Sequence, residues 1–183
     1  MGYDVAFQNA WDKVSQLTRE EKINTAFLAD KYEIDTNKRK VFSLSCNAVS
    51  PEYISILILH YLIQKLKGLP QIKENWISFQ QLAGGKGYYD AFRKRTIDPI
   101  IRKYGKSPSS LLDCLERLPG KKIQYSDCSI VLEAFRNVPV MISLWGEDEE
   151  FPAEANILFD SSIEDIFSTE DVAVLSGIIA KLV

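Results

Sequence analysis

The chain is poor in the residues that hold metals or attack substrates. Its one histidine is His60, and its three cysteines, Cys46, Cys114 and Cys128, are far apart with no Cys-x-x-Cys pair. A lone imidazole and scattered thiols exclude a disulfide framework and a four-thiolate cluster, and they do not make a zinc site, so no metal is expected. Neither a Gly-x-Ser-x-Gly elbow nor a Cys-His signature occurs, which leaves nucleophilic catalysis without support. Long hydrophobic runs are also missing. The longest, around Ile54 to Ile63, is broken by Ser55 and His60 and falls far short of the roughly 20 residues that span a bilayer. The opening stretch, Met1 to Ala6, lacks the basic start and apolar core of a secretory signal, and Ala6 stands where a myristoylation motif starting at Gly2 needs Ser or Thr. A cytoplasmic protein with reduced cysteines and no membrane partner is expected.

What the chain does have is enough apolar residue to build a core: 46% of 183 residues are hydrophobic, the makeup of one globular domain over residues 1–183. A net charge of −3 argues against nucleic-acid binding, which selects strongly basic faces. The spacing of Val5, Ala6, Ala10, Val14 and Leu17 predicts an opening amphipathic helix. Thr18-x-x-Glu21 reads as a capping box for a second short helix carrying Ile23, Ala26, Phe27 and Leu28. Period-two alternation over Tyr32–Asp35 and Val41–Cys46, around a polar turn, predicts a β-hairpin. Ser50 and Pro51 open a buried helix that runs to about Lys67, where Gly68 stops it. A helix from about Gly87 to Gly105, kinked at Pro99, and another from Ser107-Pro108 to Pro119-Gly120 follow. Strands over 129–135, 138–145 and 156–159, with a tight turn at Asn137, lead into a final helix capped by Ser168-x-x-Asp171. The sum is α+β: an antiparallel sheet of about five strands packed with several helices.

Several segments form an ordered set that covers most of the chain. They are Glu52-Tyr53 through His60-Tyr61-Leu62, Trp76-Ile77-Ser78-Phe79, Gly84-Gly85 with Tyr88-Tyr89 and Phe92-Arg93, and Pro139-Val140 with Trp145. Asp148-Glu149-Glu150-Phe151-Pro152, Leu158-Phe159-Asp160 and Thr169-Glu170-Asp171 complete it. Together they resemble the uncharacterised prokaryotic domain-of-unknown-function family 3786, whose members occur largely in anaerobic bacteria and archaea. The resemblance brings no activity, cofactor or catalytic residue with it. Some relatives carry an added cysteine-rich iron–sulphur segment, which implies redox or one-carbon metabolism and an iron–sulphur protein as a partner; this chain lacks that segment.

Four features are candidates for chemistry. From Glu147 to Asp171 there are ten Asp or Glu and no Lys or Arg, with Trp145, Phe151, Pro152, Ile157 and Phe159 beside or among them, unlike an aromatic-poor disordered acidic tail. Carboxylates held together raise one another's pKa or recruit a cation, and Asp148 and Asp160, short side chains beside Trp145 and Phe159, are the candidates there. The alternative is a solvated loop with Asp160 capping a turn. A second candidate is Gly84-Gly85-Lys86-Gly87-Tyr88-Tyr89 with Arg93 and Arg95, preceded by Trp76 and Ser78. Glycines and free N–H groups at a helix start could hold an anion, although the P-loop and dinucleotide spacings are absent. Third, His60 sits on an apolar helix, either as a hydrogen-bonded core residue or as a general acid/base needing a carboxylate from the acidic segment. Fourth, residues 86–122 carry ten Lys or Arg against four acids, a basic counterpart to the acidic stretch.

These features predict a binding or accessory protein whose pocket forms where Trp76–Arg93 meets Trp145–Asp160. Trp76, Ser78, Gly84, Gly85, Lys86, Tyr88, Tyr89, Arg93, Trp145, Asp148 and Asp160 would line it around a polar or anionic small molecule. The competing classes are an enzyme using His60 with Asp148 or Asp160 as an acid–base pair, and a module that binds another protein.

Overall fold

The computed structural model describes residues 2–183, with side chains from Val5 onward, so the signal and myristoylation readings at Met1 and Gly2 fall outside the described side chains. Two compact units divide the chain, residues 1–71 and 72–183. The fold class is α+β, with two antiparallel sheets, one of four strands and one of five.

In the first unit α1 (Gly2–Leu17) buries Ala10, Trp11 and Val14, with Phe7 edge-on to Trp11 at 6.0 Å. Val5 and Leu17, placed on the same apolar face by their spacing, are exposed instead. Residues 22–27 correct the sequence reading more sharply, because they form β1 (Lys22–Phe27) rather than a helix. Ile23, Thr25 and Phe27 point inward in strict alternation, and β1 pairs with β2 (Asp30–Asp35) through a turn at Leu28, whose φ is +50°. The Thr18 hydroxyl accepts from the Glu20 N–H at 3.1 Å, a local turn bond instead of the reciprocal pair a capping box needs. The predicted hairpin is present: β2 pairs with β3 (Lys40–Ser43), with Asp35 opposite Lys40, and a short β4 (Ala48–Val49) closes the sheet.

Helix α2 (Glu52–Lys67) buries Ile56, Leu57, Ile58, Leu59, Tyr61, Leu62 and Ile63. A helix apolar on more than one face must be covered on more than one face, and α1 packs against it. Gly68 ends it at φ +104°, a conformation that costs glycine little. Its start differs from expectation, since Pro51 occupies the capping place and the buried Ser50 hydroxyl closes no hydrogen bond among the described residues.

The second unit is built on a sheet in the order β5 (Trp76–Ser78), β9 (Glu154–Asp160), β8 (Val138–Trp145), β7 (Cys128–Phe135), β6 (Gly120–Ile123). Register stacks Ile130, Ile142 and Ile157 in one row and Leu132, Val140, Phe159 and Ile77 in the next, all buried. The β7–β8 turn places Asn137 at φ +63°, as a tight antiparallel connection requires. The single helix expected over 87–105 is two: α3 (Gly85–Arg95) and α4 (Ile97–Tyr104), broken at Thr96. Pro99 has no N–H for the Arg95 carbonyl and its ring would clash there, so the break falls at the turn before it. The Thr96 hydroxyl and N–H both bond the Phe92 carbonyl. A 3-10 helix (Pro108–Glu116) follows, and it and α4 pack on the sheet. The last helix, α5 (Thr169–Leu182), carries its predicted capping box, with Ser168 and Asp171 exchanging bonds of 3.2 and 3.0 Å.

Candidate functional site

The acidic segment splits by position along β9. Glu147 to Pro152 form the β8–β9 loop, whereas Asp160 closes the far end of a seven-residue strand, about 20 Å away at the usual rise. Asp148 and Asp160 therefore cannot share a proton or a ligand atom, and the fold does not bring them together as an acid–base pair.

Asp160 is 1% exposed. Its Oδ1 accepts from the N–H of Lys73 at 3.0 Å and of Ser162 at 2.9 Å, tying the irregular segment before β5 to a short 3-10 helix (Ser161–Asp165). Burial pushes this carboxyl up, but the donors at Lys73 and Ser162, with the nearby Glu74 N–H, outweigh it and hold the group below the usual carboxylate range. Oδ2 closes no hydrogen bond among the described residues. Asp160 also pairs in register with Trp76, which is half-buried. These contacts make it a latch of the backbone, with no open face for substrate.

The Trp76 to Arg93 segment does lie beside β9, through the β5–β9 pairing. Its side chains are largely committed to structure. Ser78 and Gln81 form a capping box on the 3-10 turn Phe79–Gln81, with the Ser78 N–H donating to Oε1 at 2.8 Å. Gly84 turns at φ +75°, and a Cβ on Gly85 would sit 1.9 Å from the Phe79 carbonyl oxygen, so backbone conformation accounts for the first glycine and close packing for the second. Phe79 and Phe92 stack at 3.9 Å, flanked by Tyr88 and Tyr89. The Arg93 Nε donates to Asp98 at 3.0 Å, and Arg95 to the Tyr88 hydroxyl at 2.7 Å. Lys86 is exposed. His60 lies in α2 of the first unit, half-buried, and the carboxylates proposed to orient it belong to the second.

The loop end of the sheet has a different character. Glu147 donates its N–H to the Gly105 carbonyl at 3.1 Å, Gly146 to Asp127 Oδ2 at 2.9 Å, and Asp148 to the Phe151 carbonyl at 3.0 Å. Asp148 Oδ1 accepts from the N–H groups of Glu150 and Phe151 at 2.8 and 2.7 Å. Those two donors hold its carboxyl below the usual range. Gly146 and Gly105 let the loop sit against Pro108 and Ala153, since a Cβ at either glycine would come within 2.9 Å of its neighbour. The result is a fixed, open concavity lined by Glu147, Asp148, Glu149, Glu150, Phe151 and Pro152. Phe151 is 65% exposed, and no ion pair among the described residues involves Glu147, Glu149 or Glu150.

Beside the concavity Trp145, half-buried instead of enclosed, meets the exposed Tyr125 edge to face at 6.3 Å. Sequence reasoning passed over Tyr125 and Asp127. The signal was an aromatic set in the Gln124-Tyr125-Ser126-Asp127 turn between β6 and β7, where burial gives no reason for a ring. Among the described residues no group of three or more His, Cys, Asp or Glu is placed to hold a metal. No helix of the described residues is long and apolar enough to cross a membrane. No curated protein and no solved structure matches the chain. The model of one family matches residues 7–182, nearly the whole chain, and the chain therefore belongs to that family, the domain of unknown function DUF3786.

Proposed function

We propose that this chain is a cytoplasmic binding or accessory protein that recognises its ligand at the β8–β9 loop end of the second unit. The observation that carries the proposal is the backbone-fixed concavity of Glu147 to Pro152, which leaves three glutamates without ion pairs among the described residues and Phe151 in solvent. Its charge favours a cation and reverses the anionic ligand expected from Lys86 and Arg93, whose guanidinium is taken by Asp98. A Lys- or Arg-bearing protein segment suits this lining, since the carboxylates pair with its charges while Phe151 and the Tyr125–Trp145 pair offer aromatic faces. An iron–sulphur protein or an anaerobic redox or one-carbon pathway fits if the partner presents a basic face.

The test is titration of isotope-labelled protein with a Lys/Arg-rich peptide set, followed by amide shifts, for the native chain and a Glu147→Gln/Glu149→Gln/Glu150→Gln variant. An exposed ion pair is worth about 0.5 kcal/mol, so losing three should weaken binding about tenfold, and raised salt should weaken the native chain similarly. Shifts confined to other surfaces, or equal affinity of the two proteins, would refute the assignment.

A further inference from the structure

We draw no further inference here: the strongest candidate, the partly exposed small and apolar stripe of Ala173, Val174, Gly177 and Ile178 along α5, carries nothing because nothing in the structure shows what covers it.

Discussion

Removing the Asp160 side chain separates a structural latch from a functional carboxylate. In Asp160→Ala the N–H groups of Lys73 and Ser162 lose their acceptor. A hydrogen bond to a charged group contributes about 1.5–3 kcal/mol, and a buried donor left unpaired carries its own penalty. Two such bonds place the loss at about 3–6 kcal/mol. At about 2–4 °C per kcal/mol for a chain of this length, the melting temperature should fall by roughly 10 °C. Asp160→Asn keeps one acceptor oxygen but puts an amide where Oδ2 closes no hydrogen bond among the described residues, so it should lose about 1–2 kcal/mol.

The acid limb of the stability profile adds a second reading. The folded Asp160 carboxyl titrates below its ordinary range, so its ionised form stabilises the fold in full at neutral pH. That contribution disappears as pH falls through about 4, the ordinary Asp value, toward the lowered folded one. Urea melts from pH 7 down to pH 3 should show a steep loss for the native chain and a shallower one for Asp160→Asn. If Asp160→Ala costs less than about 1 kcal/mol at pH 7, or Asp160→Asn keeps the native acid slope, the latch argument is wrong and Asp160 is free for another role.

Glycine substitutions should go in opposite directions. Gly85→Ala forces a methyl to 1.9 Å from the Phe79 carbonyl and should destabilise by at least about 2 kcal/mol, whereas Gly177→Ala, with nothing within 4 Å, should stabilise by about 0.5–1 kcal/mol; chemical denaturation of both variants checks the pair. Phe92→Ala removes a buried ring stacked at 3.9 Å on Phe79 and should cost about 3–5 kcal/mol. Trp145→Ala should cost clearly less in the same melts, because its indole is only half-buried, and it should instead weaken peptide binding at the loop. Equal losses for Phe92→Ala and Trp145→Ala would contradict the exposure of Trp145.

Where structure follows from neighbours along the chain, the sequence alone determined it. The capping box of α5 at Ser168 and Asp171, the Gly68 stop of α2 and the Asn137 turn each depend on residues within four positions of one another, and the β2–β3 hairpin closes between Asp35 and Lys40, five positions apart. What tertiary structure decided lies where local pattern is degenerate. Ile23 and Phe27 share a face in a helix and in a strand alike, because four residues are about one helical turn and also two pleats. Pairing with β2 chose the strand, with Thr25 completing its inner face. The site was decided in the same way. Asp148 and Asp160 look like neighbours on a list of acids, yet an intervening extended strand holds them at opposite ends of the sheet. Only the backbone donors around each show that Asp148 shapes a loop and Asp160 fastens a core. A hydrogen bond between residues 87 positions apart, such as that from Lys73 to Asp160, leaves no periodicity in the sequence, so no local pattern could have revealed it.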